Sequence, residues 1–295
     1  MQATHYRATS YAPRTRTWGD YLTHRAGNWL RLLLLFIASI IILAPVVWTL
    51  STSLRTPAES FTVPPQWIPL RPDWTNYIEV FDRVPFGSYV FNSFIVTGSV
   101  VIGQLLTASL AGYAFARLDF PLRGVLFWLV MATVMVPLQA TIIPVFVLIS
   151  SLGLADTLAS LILPALPTAF GTFLLRQYFM AMPNDYEEAA LIDGANQWQV
   201  FYRVYLPMAT PGLAILTVLA FNTHWNEFFR PLIFLSTNEN FTLPLGIVTL
   251  FGYLGTGSVS VVLAGVVLSL IPVLVVYTIG QRYLIEGIAM GGLKG

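Results

Sequence analysis

The sequence has 295 residues, of which 56% are hydrophobic and only 10% are charged. Soluble domains contain about a quarter charged residues, so this composition excludes an ordinary soluble domain and indicates a membrane protein. The 15 basic residues nearly balance the 14 acidic residues, which argues against a nucleic-acid partner. The chain contains no cysteine, which excludes disulfides and thiolate metal sites.

Six apolar stretches are long enough to cross a bilayer as helices. A bilayer core about 30 Å thick needs roughly 20 apolar residues in a spanning helix. None of the stretches alternates as a barrel strand does, and backbone in hydrocarbon must satisfy its own hydrogen bonds. The sequence therefore predicts an all-α polytopic membrane protein. Its predicted spans are residues 29–50, 89–115, 125–149, 157–179, 207–235 and 259–283.

Three further regions complete the predicted organisation around a transmembrane domain at residues 29–285. Residues 1–28 form a polar N-terminal arm, which we expect to be flexible before about Thr17. The arm is too long for the charged region of a signal peptide, and no clear cleavage site follows the first apolar stretch. The first span is therefore predicted to be retained. A loop at residues 181–206 and a tail at residues 286–295 lie outside the spans.

Arginine placement predicts that both termini are cytoplasmic. With six spans, eleven basic residues fall on the side of the termini and four on the other side. Basic residues favour the cytoplasmic side of a membrane protein. The eleven are Arg7, Arg14, Arg16, Arg25, Arg31, Arg117, Arg123, Arg176, Arg203, Arg282 and Lys294, and the four are Arg55, Arg71, Arg83 and Arg230.

Proline and small residues within the spans predict kinks and close helix packing. Membrane helices tolerate proline where neighbouring groups satisfy the freed backbone, and small residues let helices approach each other. The prolines are Pro137, Pro144, Pro164, Pro167 and Pro272, and the small residues of the second span are Gly98, Gly103, Ala108 and Gly112.

Several kinds of chemistry are missing from the sequence. It contains no phosphate-binding loop, no H-E-x-x-H zinc motif and no G-x-S-x-G nucleophile motif. We therefore expect no enzyme activity, no cofactor and no nucleotide site in this chain. The few ionisable residues in the spans include His224 and Glu227, whereas a proton- or ion-coupled carrier usually needs such groups near the midplane. Glu227 lies roughly 30 Å from Pro207 along a straight helix, near the outer interface.

The stretch EEAALIDGANQ, residues 187–197, is an acidic segment between two apolar spans. Asn184 or Asp185 is suited to cap a helix, and Asp185 with Glu188 resembles a capping box. Gly194 stands where a left-handed C-terminal cap is expected. Asn196 is suited to cap a second helix, whose aromatic residues Trp198, Phe201 and Tyr205 could fill a pocket. The pattern predicts a helix–turn–helix on the cytoplasmic face.

The segment EAALIDGANQWQVFYRVYLP resembles the cytoplasmic coupling motif of ABC importer permeases. That motif reads EAA, three residues, G, nine residues, I, one residue and LP, and every spacing fits here. The single departure is Val204 in place of isoleucine. NSFIVTGSV, AGYAFARLDFP, MVPLQATIIP, WNEFFRPLIFL and QRYLIEGIAMGGLKG resemble the maltose-permease type of carbohydrate importer subunit.

This resemblance implies the partners and the mechanism. In the family, two homologous permease subunits pair, two copies of a P-loop ATPase dock on their coupling helices, and an external binding protein delivers the sugar. ATP and Mg²⁺ belong to the ATPase. The resemblance implies a bacterial cytoplasmic membrane protein that imports a di- or oligosaccharide or a glycerol-phosphate-like compound by alternating access. The implied ATPase-coupling residues are Glu187, Glu188, Ala189, Ala190, Asp193, Gly194, Val204, Leu206 and Pro207.

The substrate path and the tail are less defined by the sequence. Amides and carboxylates hold sugars, but the same side chains also form hydrogen bonds between helices, and both interpretations remain open. The candidates for the path are Asn222, His224, Asn226, Glu227, Asn92 and Gln139, with Gln104 a further polar residue. The resemblance implies a tail contact with the ATPases through Gly291, Gly292 and Lys294, and a frayed end is the alternative.

Three other functions compete with an importer subunit. A stand-alone secondary transporter would need internal repeats and midplane charges, which the sequence lacks. A non-transporting scaffold would leave the matched spacing of the acidic loop without a purpose. A membrane-embedded enzyme would need a nucleophile with a base, or a metal site. The importer subunit is the interpretation that the motif favours.

Overall fold

The computed structural model describes residues 18–56, 59, 67–69, 71–252 and 257–292, with side chains described between 28 and 283. Every regular element in these ranges is helical, which confirms the all-α prediction. The predicted flexibility before Thr17 and the predicted contact of Lys294 fall outside the described residues.

Fourteen α-helices, some of them a single turn, follow one another along the described ranges. The helices are α1 Trp18–Ser53, α2 Thr75–Arg83, α3 Phe86–Arg117, α4 Arg123–Val134, α5 Leu138–Ser151, α6 Leu158–Ile162, α7 Ala169–Ala181, α8 Asp185–Ile192, α9 Gln197–Val200, α10 Leu206–Met208, α11 Thr210–Trp225, α12 Phe229–Phe234, α13 Leu243–Thr249 and α14 Val259–Gly292. Pro45, Pro144 and Pro272 lie inside α1, α5 and α14 without ending these helices.

The six predicted spans correspond to three continuous helices and three bent pairs within the described ranges. Helices α1, α3 and α14 each contain a continuous stretch long and apolar enough to cross a membrane. The pair α4 and α5 bends by 101°, Leu158–Ala165 with α7 bends by 40°, and Gln197–Met208 with α11 bends by 72°. The chain thus has up to six spans if each bent pair crosses once.

Proline accounts for the positions of the bends. Proline lacks an N–H group and disfavours helical backbone at the residue before it. Pro137 is the residue before α5, Pro167 lies between Ala165 and α7, and Pro211 occupies the first turn of α11. The kinks predicted at Pro137 and Pro167 coincide with two of these bends, whereas Pro144 and Pro272 lie inside α5 and α14.

The first and fifth spans differ from their predicted bounds. Helix α1 begins at Trp18, inside the predicted polar arm. Helix α11 ends at Trp225 and not at Leu235, because the chain turns at residues 226–228 before α12 begins. Glu227 therefore lies in this turn, and the prediction that it sits near the end of a long straight helix is wrong.

Helix α3 is the centre of the bundle and packs against α7 and α11. An added Cβ at Gly112 would lie 3.0 Å from the backbone N of Arg176, so this glycine permits the close contact of α3 with α7. An added Cβ at Gly103 would lie similarly close to Leu166, whereas one at Gly98 would meet no atom of this chain within 4 Å. Helix α1 lies at the edge, with the side chains of its apolar stretch exposed.

The loops collect at two opposite ends of the bundle. Arg117 at the end of α3 contacts the loop at Asn184, which places the acidic loop at that end. At the other end, Asp156 adopts a φ of 58° and accepts hydrogen bonds from the backbone N–H groups of Ser236 and Thr237, at 2.8 and 3.0 Å. Hydrogen bonds from the Thr237 hydroxyl and from these two backbone groups lower the pKa of Asp156 from 3.8 to about 2. Asp156 therefore ties the loop after α5 to the loop after α12.

Candidate functional site

Helix α8 begins the loop at residues 181–206, and its start differs from the prediction. Asn184 precedes the helix in a helical conformation and makes no side-chain cap. Its Oδ1 instead accepts a hydrogen bond from the Arg117 guanidinium, which takes the oxygen away from the helix. The predicted cap and the predicted Asp185–Glu188 capping box are therefore wrong. The acidic first turn, which complements the helix dipole, is present.

Gly194 ends α8 in the predicted left-handed conformation, with a φ of 83°. Its N–H donates to Leu191 O at 3.0 Å, and the N–H of Ala195 donates to Ala190 O at 2.9 Å. These two bonds are the Schellman arrangement, which satisfies the last carbonyls of a helix. An added Cβ at Gly194 would meet no atom within 4 Å, so backbone conformation alone favours glycine here.

Asn196 caps the second helix of the loop, as predicted, and together with Gln199 it forms a capping box that was not predicted. The side chain of Asn196 accepts from the N–H of Gln199 at 2.9 Å, and the side chain of Gln199 accepts from the N–H of Asn196 at 2.8 Å. Helix α9 then continues into a π-helical turn at Phe201–Tyr205, in which the N–H of Leu206 donates to Phe201 O. The half-buried Val204 and Leu206 and the exposed Pro207 lie in and after this turn. Proline clashes with the carbonyl four residues before it, which explains a wider turn before Pro207.

The aromatic residues of this second helix face different ways. Trp198 is 63% exposed, while Phe201 and Tyr205 are buried in a cluster with Tyr113, Phe179 and Leu175. The prediction that all three aromatic residues could fill a partner's pocket is therefore wrong for Phe201 and Tyr205, which pack inside this chain.

Arg117 fastens the loop to the end of the second span. Its Nε and Nη2 donate to Phe179 O at 3.1 and 2.6 Å, and its Nη2 donates to Met182 O at 2.5 Å. Its guanidinium also lies over the Tyr205 ring, 4.7 Å from the centroid. One half-buried side chain thus holds the end of α7, the start of α8 and the π turn together.

Two tyrosine hydroxyls complete these connections. The Tyr205 hydroxyl donates to Glu187 Oε2 at 2.8 Å, so the π turn is bonded directly to α8. The Tyr113 hydroxyl donates to Gln197 Oε1 at 2.8 Å, so α3 is bonded to the first residue of α9. We call Arg117, Tyr205, Glu187, Tyr113 and Gln197 the linkage residues. Their hydrogen bonds join the loop to α3 and α7 and join α8 to the π turn.

The tip of the loop presents an exposed apolar surface beside an acidic one. Ile192 is 86% exposed, and Leu191 and Tyr186 are also exposed. Glu188, Ala189 and Asp193 are exposed beside them, whereas Ala190 packs inward against the cluster around Tyr205. An exposed apolar patch with a polar rim is typical of a protein–protein contact.

A cluster of polar side chains lies at the C-terminal end of α11. His224 accepts or donates at both ring nitrogens: Nε2 lies 3.0 Å from Gln104 Nε2, and Nδ1 lies 3.2 Å from Glu227 Oε2. Arg230 donates two hydrogen bonds to the Glu227 carboxylate and one to Leu161 O at 3.2 Å. Gln104 also donates to Ala165 O at 2.9 Å. This cluster joins α3, α6 and the turn after α11, and its four side chains are mostly satisfied by one another.

The structure brings only some of the predicted path residues together. His224 and Glu227 belong to the polar cluster. Asn222 and Asn226 are exposed and bond to each other, with Asn226 Nδ2 at 3.2 Å from Asn222 Oδ1. Asn92 donates to Glu239 O at 2.7 Å and to Phe241 O at 3.1 Å, which is a structural role. Gln139 is exposed in the first turn of α5.

Sequence reasoning missed the two residues that bind these sites together. The sequence predicts no bonding role for Arg117 or Arg230, yet each makes the largest set of hydrogen bonds at its site. The signal for Arg230 is its position three residues after Glu227, which suits an ion pair on one helical turn. For the tail, α14 continues to Gly292, which includes Gly291 in the helix.

Comparison with known proteins gives the family. Residues 104–289 match the family described as the binding-protein-dependent transport system inner membrane component. The match covers more than half of the chain, so the chain belongs to this family of ABC importer membrane subunits. The fold agrees: a bacterial ABC transporter involved in the import of the acidic polysaccharide alginate has a chain that superposes with a TM-score of 0.79 at 26% identity, covering 91% of this chain and 99% of that one.

Three individual relatives are permease proteins of transport systems whose names give their substrates. The chain is 35% identical to the arabinooligosaccharides transport system permease protein AraQ of Halalkalibacterium halodurans, over 75% of this chain and 79% of the relative. It is 35% identical to the sulfoquinovosyl glycerol transport system permease protein SmoH of Agrobacterium fabrum, over 88% and 93%. It is 32% identical to the sn-glycerol-3-phosphate transport system permease protein UgpE of Yersinia enterocolitica, over 86% and 93%. The chain is thus a multi-pass permease subunit of a sugar ABC importer.

Proposed function

We propose that this chain is one of two membrane subunits of an ATP-driven importer and translocates a carbohydrate into the cytoplasm by alternating access. Its partners are a second homologous permease subunit, two copies of a P-loop ATPase and an extracytoplasmic sugar-binding protein in a bacterial inner membrane. The observation that carries the proposal is the loop at residues 181–206. It is rigidly bonded to two spans and exposes an apolar tip.

The loop acts as a lever between the ATPase and the spans. Helix α8 sits in a cleft of the ATPase, with Ile192 and Ala189 on the contact surface. When ATP closes the ATPase dimer, α8 moves, and the bonds of Glu187 to Tyr205 and of Arg117 to the end of α7 carry the movement to the spans. The translocation pathway between the spans then opens to the outside, and the binding protein releases its sugar into it. Hydrolysis of ATP restores the inward-facing state.

Glu187 and Glu188 have different roles in this proposal. Glu187 already bonds to Tyr205 and is a positioning residue within the chain. Glu188 is exposed and forms no ion pair with another described residue. Its carboxylate is therefore available to an ATPase arginine, in addition to its favourable position in the first turn of α8. The tail at Gly291 and Gly292 is a second contact with the ATPases.

On the substrate side, the described residues around the end of α11 offer amide groups and no cation that lacks a carboxylate partner. Asn222 and Asn226 are exposed on one side of this helix, while the charge of Arg230 is neutralised by Glu227. Amides bind hydroxyl groups as donors and as acceptors. This arrangement supports a substrate that is recognised on this chain through hydroxyl groups, with His224 and Glu227 holding the helix end in place.

Co-purification tests the proposal. The tagged chain is extracted gently from its host membrane, and bound proteins are identified by mass spectrometry. A P-loop ATPase and a second six-span permease are expected, and Ile192→Ser should reduce the ATPase without reducing the second permease. The matched control is Leu152→Ser, which changes an exposed apolar residue at the opposite end of the bundle. Recovery of the chain alone under several mild conditions would instead support a stand-alone carrier.

A further inference from the structure

A basic cavity lies between the end of α3, the start of α4 and the middle of α7. Its volume is about 320 Å³. The residues that line it are Phe115, Arg123, Gly124, Phe127, Trp128 and Arg176. None of them is a linkage residue or a member of the polar cluster, so the importer mechanism leaves this cavity without a function.

Arg176 supplies a charge that the chain does not neutralise. Its Nε donates to Phe115 O at 3.2 Å, and its guanidinium lies over the Phe127 ring, 4.2 Å from the centroid. Among the described residues, no carboxylate forms an ion pair with Arg176. Arg176 is half-buried and lines the cavity, and no hydrogen bond is given to its two terminal nitrogens. A guanidinium fork matches a phosphate in geometry and charge.

Arg123 brings a second positive charge to the same cavity. Its Nη1 donates to Leu118 O at 2.9 Å and to Asp119 Oδ1 at 3.0 Å. The Asp119 side chain is 98% exposed, so this ion pair is well solvated and weak. Gly124 also lines the cavity, and an added Cβ there would meet no atom within 4 Å.

We infer that this cavity binds the phosphate group of an anionic phospholipid. Trp128 lines the cavity and is exposed, and Val125 and Leu129 of the same helix are also exposed, so acyl chains would have an apolar helix to lie along. Arg123 is the first residue of the apolar helix α4, directly after the polar loop. Trp128 has an amphipathic ring, which favours the membrane interface. Basic pockets between spanning helices on the cytoplasmic side bind anionic headgroups. A soluble phosphate compound would gain nothing from the apolar face.

The inference rests on the proposed function only for the side of the membrane that the cavity faces. Arg117 joins the end of α3 to the coupling loop, so the cavity lies at the same end as α8. That end faces the anionic inner leaflet in the proposed orientation. Failure of lipid binding would leave co-purification of the ATPase unchanged, and loss of the ATPase would leave lipid binding unchanged, so the two proposals fail separately.

Native mass spectrometry of the purified complex tests the inference. The complex is exchanged into detergent and titrated with phosphatidylglycerol or with phosphatidylcholine. We expect the wild type to retain phosphatidylglycerol in preference to phosphatidylcholine. Arg176→Gln and Arg123→Gln should each weaken retention of phosphatidylglycerol about tenfold, as expected when one charge-assisted hydrogen-bonding group is lost. The matched control is Arg282→Gln, because Arg282 is exposed and stacks on Tyr283 without lining the cavity.

A lysine variant and a competition experiment with inorganic phosphate complete the test. Arg176→Lys retains the charge without the fork and should lose less affinity than Arg176→Gln; if Arg176→Gln does not fold in lipid-free detergent, Arg176→Lys and Arg123→Gln carry the test. Inorganic phosphate at millimolar concentration should not displace phosphatidylglycerol from the wild type. Displacement would overturn the lipid assignment in favour of a soluble phosphate compound. Equal retention of phosphatidylglycerol by the wild type and both glutamine variants would overturn the site itself.

Discussion

The Tyr205 hydroxyl donates a 2.8 Å hydrogen bond to Glu187 Oε2 and thereby joins the start of the fifth span to the helix of the coupling loop. The same tyrosine ring is covered by the Arg117 guanidinium. In the proposed mechanism, a force on α8 reaches α11 through Tyr205 and reaches α3 through Arg117. This relationship makes the mechanism testable at single residues.

Tyr205→Phe should uncouple ATP hydrolysis from transport while the fold remains intact. The ring stays in its aromatic cluster, and only the bond to Glu187 is lost, at a cost of about 1.5 kcal/mol for a hydrogen bond to a charged group. We expect more ATP to be hydrolysed per sugar imported by the reconstituted complex. The control is Tyr202→Phe, an exposed neighbour. An unchanged ratio of ATP to sugar in Tyr205→Phe would show that the bond does not transmit movement.

Gly194→Val should weaken docking of the ATPase by straining the turn after α8. A side chain in the left-handed region costs roughly 1–2 kcal/mol, and valine tolerates it poorly. Gly153→Val is a matched control, because Gly153 has a φ of 70°, also faces open space and lies at the other end of the bundle. Both variants should lose similar thermal stability, and only Gly194→Val should lose bound ATPase. Equal loss of ATPase in both would assign the effect to general destabilisation.

Glu227→Gln should strongly destabilise the protein, because it leaves the buried Arg230 without its carboxylate. The Arg230 side chain is 6% exposed, and breaking such a buried pair costs about 3–5 kcal/mol. The double variant Glu227→Gln with Arg230→Met should recover much of that loss. Thermal unfolding in detergent measures both effects. For comparison, Glu79→Gln removes an ion pair whose side chains are each 37% exposed, and it should cost less than about 1 kcal/mol.

The Asp156 connection should weaken in acid. Because folding lowers the pKa of Asp156 from 3.8 to about 2, its contribution to stability is present above pH 3.8 and is lost as the pH falls towards 2. Hydrogen exchange at the amides of Ser236 and Thr237, corrected for intrinsic rates, should accelerate over this window. Asp156→Asn keeps an acceptor oxygen and tolerates the left-handed backbone, so its exchange should not depend on pH there. Constant protection in the wild type between these pH values would contradict this.

The positions of the apolar segments and the local geometry of the loop were predictable from sequence. Gly194 and Asn196 act within a few residues, so their cap geometries follow from residue type alone. The absence of a side-chain cap at Asn184 was not predictable, because the side chain bonds instead to Arg117, a residue far away along the chain. Hydropathy likewise located the fifth span but did not predict that its helix ends early, at Trp225. The chain turns there, and Arg230 just beyond the turn donates to Leu161 O of α6, a distant contact that hydropathy does not contain.

Cysteine cross-linking in native membranes tests the central claim most directly. The chain contains no cysteine, so Ile192→Cys introduces a single reactive thiol at the exposed tip of α8. The account predicts that this thiol cross-links to the P-loop ATPase and is shielded from a membrane-impermeant maleimide added outside. Leu152→Cys, at the opposite end of the bundle, should show the reverse. Labelling of Ile192→Cys from outside, with no cross-link to an ATPase, would contradict the coupling role of the loop.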